Sequence, residues 1–127
     1  MNKPFLLGFL FILAAQLSFC QVKPTLNATI KTPTAQCENC KIRVENYLKV
    51  YDGVLTVMVN FRKGETRVKY LSDRTDIEQI KTAISNAGYD ADDVTANTDS
   101  YNRLPKSCKK YEEGGGHPKP KALPISQ

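Results

Sequence analysis

Val54-Leu55-Thr56-Val57-Met58-Val59-Asn60-Phe61-Arg62-Lys63-Gly64-Glu65-Thr66-Arg67-Val68-Lys69-Tyr70-Leu71 decides the fold. From Val54 to Arg62, Leu55, Val57, Val59 and Phe61 alternate with Thr56, Met58 and Asn60. From Glu65 to Leu71, Thr66, Val68 and Tyr70 oppose Arg67 and Lys69. Two runs of period two around Lys63-Gly64 predict an antiparallel hairpin.

Helices are predicted on both sides of the hairpin. Upstream, Cys40, Val44, Leu48 and Tyr51 share one stripe from about Cys40 to Tyr51, and Asp52-Gly53 stops it. Glu45 and Lys49 read as an outward-facing i, i+4 pair. Downstream, Thr75-Asp76-Ile77-Glu78 fits a capping box. Ile77, Ile80, Ile84 and Ala87 then line one face, and Gly88 ends the helix. A strand is expected at Thr25–Lys31, with Leu26, Ala28 and Ile30 on one face. A poorly patterned fourth strand is expected from Tyr89 to Ala96.

The order is therefore β-α-β-β-α-β. This is a ferredoxin-like α+β architecture, a four-stranded antiparallel sheet with two helices on one face. After Asn97 the periodicity stops. Gly114-Gly115-Gly116 and prolines 118, 120 and 124 read as a flexible basic tail over residues 98–127, with Tyr101 and Leu104 as the residues able to pack back.

The first twenty residues read as a secretory signal peptide. Lys3 precedes an apolar stretch from Phe5 to Leu17, and Ser18 and Cys20 stand at the −3 and −1 positions of a cleavage site before Gln21. The stretch is short for a membrane span. An uncleaved anchor is one alternative. Lipidation of Cys20 is another, opposed by Phe19. Residues 21–24 form a linker, and residues 25–97 form one small domain. That domain carries ten basic and ten acidic residues, so the net charge of +5 does not argue for nucleic-acid binding.

Export places the chain in an oxidising compartment, yet only Cys37, Cys40 and Cys108 remain after cleavage. Three is too few for a disulfide framework. Cys37-Glu38-Asn39-Cys40 opens the first helix, where free N–H groups favour thiolate. Two thiolates at this spacing suit a soft ion. Cu(I) and Hg(II) accept two sulfurs, whereas Zn(II) wants four ligands. A thiol–disulfide oxidoreductase is the rival reading. It lacks an aromatic residue before Cys37 and the element order of thioredoxin. With one histidine and no phosphate-binding or nucleophile motif, the chain offers little from which to build an enzyme.

From about Leu26 to Asp93 the chain resembles the heavy-metal-associated domain, found in copper chaperones, metal-transporting P-type ATPases and the periplasmic mercury-binding protein. The residues that carry this are Cys37-x-x-Cys40, Val44-Glu45, Leu48, Gly53-Val54, Val57-x-Val59-Asn60 and Ile84 with Ala87-Gly88-Tyr89. The resemblance implies that Cys37 and Cys40 bind the metal at the exposed end of the loop. The ion would pass between partners by thiolate exchange, with Tyr89 shielding the site. Cu(I) is the expected ion, with Zn(II), Hg(II) and Cd(II) as alternatives. The expected partner is a metal-transporting ATPase or another metal-binding domain, and the expected location is the periplasm.

Two departures stand out. Ala35 occupies the position where the family carries Met, and a shorter side chain there is expected to loosen the loop. The tail also holds Cys108 and the single histidine, His117, among Lys106, Lys109 and Lys110. Cys108 is a candidate third ligand, and His117 a weaker candidate for that role.

Overall fold

The hairpin forms as its alternation requires. In a computed structural model that describes residues 22–117, Val54–Asn60 (β2) and Glu65–Leu71 (β3) pair antiparallel, with Val57 opposite Val68 and Val59 opposite Thr66. The expected signal peptide, its expected cleavage site and residues 118–127 lie outside the described residues. Thr25–Lys31 (β1) pairs with the other edge of β3, so the sheet order is β1-β3-β2. The pairing shifts register between Val54 and Thr56. That shift turns Leu55 to solvent, against the alternation, because a bulge breaks the period-two pattern.

Glu38–Lys49 (α1) and Ile77–Asn86 (α2) supply the helical layer. Val44 and Leu48 from α1 meet Ile80, Ala83 and Ile84 from α2, and Ile30, Val57, Val59 and Val68 from the sheet, in one core. Burying such side chains is worth about 1.5–3 kcal/mol each. Glu45 does not form an outward-facing pair with Lys49. Its carboxylate accepts from the Val59 N–H at 3.0 Å, occupying a donor on the edge strand.

The second helix begins one residue later than the capping box implied. Asp76 is the N-cap, accepting from the Gln79 N–H at 2.9 Å, and the Thr75 hydroxyl is buried without a partner. Gly88 ends α2 at φ 98°, where the Tyr89 N–H reaches Ile84 O and the Gly88 N–H reaches Ser85 O. This paired closure turns Tyr89 back over the core.

The fourth strand is a correction. Among the described residues the sheet has three strands, and residues 89–96 contribute only an isolated Ala91–Val94 bridge. Asp92 adopts φ 51° and closes a tight turn between Ala91 and Val94. Extended pairing cannot run through that conformation. The turn still binds β1, because Asp92 N–H donates to Lys31 O and its carboxylate accepts from Lys31 N–H, both at 2.8 Å.

Residues 98–117 are a second correction, because they are folded. Thr98–Asn102 (α3) is capped by Asn97, and two 3-10 turns follow at Lys106–Cys108 and Tyr111–Glu113. Leu104 is buried, as its apolar character suggested, against Gly88. The Tyr101 hydroxyl donates to Glu113 at 2.7 Å and accepts from the Lys110 N–H at 3.0 Å. The glycine run is not a spacer. Gly114 sits at φ 74°, and Gly115 lies so close to the Lys109 carbonyl that a Cβ has no room. One side-chain cap, at Asn97, and single anchors hold this segment, and neither produces a periodic pattern.

Candidate metal centre

The site starts with a cap. Cys37 has extended backbone before α1, and its sulfur accepts from the Cys40 N–H at 3.2 Å. A thiol thus takes the place usually held by Ser, Thr, Asp or Asn. Cys40, one turn on, points inward on the stripe of Val44 and Leu48 and is fully buried. The loop before them is tied down despite Ala35. Ala35 is itself buried, its N–H donates to Thr32 O at 3.1 Å, and Thr34 Oγ1 accepts from the Asp90 N–H at 2.8 Å. One backbone bond and one to the Thr34 hydroxyl hold the loop that a short side chain was expected to loosen.

The folded C-terminal segment brings in the rest. The sulfurs of Cys37, Cys40 and Cys108 lie within 4.8 Å of one another, and Cys37 and Cys108 are 3.8 Å apart. All three are free thiols, and Cys37 also donates to Ser107 O at 3.4 Å. His117 is buried and places Nε2 3.2 Å from Cys40 Sγ. Tyr89 lies under the cluster, fully buried. Its hydroxyl faces the Cys108 and Cys40 sulfurs with no hydrogen-bond partner. The pair is therefore covered, where an exposed loop end was expected. Cys40 is inaccessible and Cys37 half-buried.

Electrostatics follows from burial. Desolvation pushes the Cys40 thiol well above the ordinary range, and its hydrogen bonds and charge repulsion with Cys37 and Cys108 add to this. The expectation that the helix N-terminus lowers both thiols therefore fails at Cys40. For Cys108 desolvation also acts upward, but the polar neighbours Tyr89, Cys40, Cys37 and Ser107 together outweigh it and the net shift is downward. Burial lowers His117, which favours the neutral imidazole that a metal requires.

The model of the heavy-metal-associated domain matches residues 29–90. The copper chaperone CopZ of Staphylococcus haemolyticus is 35% identical over 65 residues, which is 51% of this chain and 96% of that protein. The chain belongs to the heavy-metal-associated domain family. Among solved structures, a CopZ metallochaperone aligns with a TM-score of 0.50 at 32% identity, over 52% of this chain and 98% of the other. The N-terminal domain of a potential copper-translocating P-type ATPase from Bacillus subtilis, solved in the Cu(I)-loaded state, aligns with a TM-score of 0.51 at 26% identity, over 54% of this chain and 86% of the other.

These likenesses support a metal-binding or metal-carrying role and the ferredoxin-like fold. The family match stops at residue 90, before Cys108 and His117. Those two donors belong to this chain's own extension. Sequence reasoning ranked His117 low because nothing near it is periodic. The usable signal was the glycine run, which permits a turn too tight for any side chain.

The donor set fits a soft or borderline ion. Three sulfurs lie together, an imidazole touches one of them, and a hydroxyl without a partner faces two.

Proposed function

We propose that this protein is an exported, non-enzymatic carrier or buffer of a soft metal ion, Cu(I) above all, and that Cys37 and Cys40 are its primary ligands. The observation that carries the reading is the Cys37–Cys40 pair at the first turn of α1, in a domain similar to copper chaperones along nearly their whole length. The location follows from the leader-like first twenty residues, and the periplasm suits them. A metal-transporting ATPase or a second metal-binding domain is the natural exchange partner, since a domain of a copper-translocating ATPase shares the fold.

In this reading the chain's residues do three things. The α1 N-terminus orients the pair, with Cys37 as its cap and Cys40 one turn on. Core packing of Val44 and Leu48 fixes the helix so that the sulfurs converge. Burial of Tyr89 keeps water from the inner side of the site. A bound Cu(I) would supply no redox step here; it is cargo.

Titration of the reduced protein with Cu(I) against a chromophoric chelator tests this. Wild type is expected to compete for one ion, and Cys37→Ser and Cys40→Ser to lose that competition. Equal, poor competition by all three would sink the carrier reading. Disulfide exchange without metal would favour the oxidoreductase instead. Fractionation and N-terminal sequencing from Gln21 test export.

A further inference from the structure

The Cys37–Cys40 pair accounts for only half of the donors gathered at this place. Cys108 and His117 reach it from a segment with no counterpart in the matched family region, and both are buried when they arrive. Three thiols, an imidazole and a phenol packed together with so few good hydrogen bonds make a poor hydrophobic core. The Tyr89 hydroxyl shows this most directly, since it is buried, faces the sulfurs and has no partner.

Distances indicate what the arrangement is ready to hold. Metal–sulfur bonds of about 2.3 Å and metal–nitrogen bonds of about 2.0 Å, set tetrahedrally, put neighbouring sulfurs about 3.8 Å apart and sulfur and nitrogen about 3.5 Å apart. Cys37 and Cys108 are 3.8 Å apart, and Cys40 Sγ lies 3.2 Å from His117 Nε2. Two opposite edges of a tetrahedron are therefore already near their final length, and all three sulfurs fall within 4.8 Å; His117 touches Cys40 but stands outside that group, so its ring must move inward to complete the site. A linear two-sulfur site would use neither Cys108 nor His117.

Building on the carrier reading above, we propose that Cys108 and His117 complete a four-donor site with Cys37 and Cys40, whose three sulfurs and one imidazole bind a tetrahedral divalent ion, Zn(II). Binding one Zn(II) takes the three thiols to thiolates and releases three protons, with no change of oxidation state. The bound centre carries one net negative charge, and the Tyr89 hydroxyl gains a thiolate acceptor. The donors are split between two parts of the chain. Cys37 and Cys40 sit on the domain, while Cys108 and His117 sit on the folded-back segment, so ion and segment hold each other in place.

The test uses the reduced full-length mature chain with Co(II) as spectroscopic probe and Zn(II) in competition with a chelator. Wild type should give one Co(II) with strong thiolate charge transfer and the intense visible bands of a tetrahedral centre. Cys108→Ser should weaken Zn(II) by roughly a hundredfold or more and His117→Ala by at least roughly tenfold, both at or beyond the effect of losing a supporting residue. Both variants should still bind Cu(I) through the remaining pair. Circular dichroism of each variant establishes that it folds, and Cys108→Ser is nearly isosteric.

If both variants hold Zn(II) as tightly as wild type, or Co(II) gives an octahedral spectrum without charge transfer, the four-donor site is wrong while the carrier reading stands. If no form competes for Cu(I) but Zn(II) binding depends on all four residues, the four-donor site stands and the carrier reading fails.

Discussion

His117 Nε2 lies 3.2 Å from Cys40 Sγ, across 77 positions of sequence. No shared helix or strand pairing joins them. Cys40 is set by α1, and His117 by a glycine turn in which its own N–H donates to Lys109 O at 3.3 Å and the Gly116 N–H donates to Lys106 O at 2.8 Å. The contact is a product of that turn.

Gly115→Ala should therefore detach His117 without unfolding the domain. A Cβ there meets the Lys109 carbonyl, and backbone cannot yield as a flexible side chain does. The turn is expected to open at a local cost of about 1–3 kcal/mol. The core side chains of α1, α2 and the sheet are untouched. In NMR spectra the His117 ring resonances should move toward solvent-exposed values while core methyl signals stay in place. Zn(II) affinity should fall by about the factor expected for His117→Ala.

Leu104→Ala should act on stability first. Leu104 is the buried apolar anchor of the folded-back segment, seated against Gly88 where α2 ends. Truncation removes most of a buried side chain and leaves a cavity, which costs about 2–4 kcal/mol. Denaturant unfolding of the metal-free protein measures this. Hydrogen exchange should speed up most across residues 98–117, because those residues lose their main contact with the domain.

Much of the fold was legible because its signals are periodic. Val57, Val59 and Val68 announce a hairpin, and Val44, Leu48, Ile80 and Ile84 announce two helix faces that share its core. The pairing of Cys37 with Cys40 was legible because both are local to one helix start. What escaped was carried by single contacts. Leu55 left the core at a bulge, and Glu45 turned toward the Val59 N–H. Asp92 broke the fourth strand with one left-handed residue. Cys108 and His117 reached the site through two 3-10 turns and a tight glycine turn, which composition alone reads as flexibility.

Tyr89→Phe separates the empty site from the loaded one. In the metal-free protein the hydroxyl is buried without a partner, a state that costs about 1–3 kcal/mol. Removing it should leave stability unchanged or raise it by about 1 kcal/mol. In the loaded protein the same hydroxyl can donate to a thiolate. Its loss should weaken metal binding by roughly tenfold. Thermal unfolding with and without Zn(II) checks both signs. A variant destabilised in both states would show instead that the hydroxyl serves the core.

The final expectation concerns pH, and it turns on Cys40. Burial, then hydrogen bonding and charge repulsion from Cys37 and Cys108, hold this thiol protonated well above the ordinary thiol range. The groups facing it are Cys37, Cys108, Tyr89 and His117. In the unfolded chain Cys40 ionises at its ordinary pKa, so above that pH the unfolded state binds fewer protons than the folded one. The contribution of Cys40 to metal-free stability is therefore intact below the ordinary thiol range and is lost as pH rises through it. Metal binding runs the other way. The ion must displace the Cys40 proton, so affinity should climb by up to about tenfold per pH unit for each proton released, and it should keep climbing past the ordinary thiol range. His117, held low by burial, adds little to the loss of affinity on mild acidification. Zn(II) competition from about pH 6 to about pH 9 should show a rise with no plateau at neutral pH. In Cys40→Ser the rise should be shallower by about one proton. A flat profile in wild type would mean that Cys40 gives up no proton to the metal and is not a ligand.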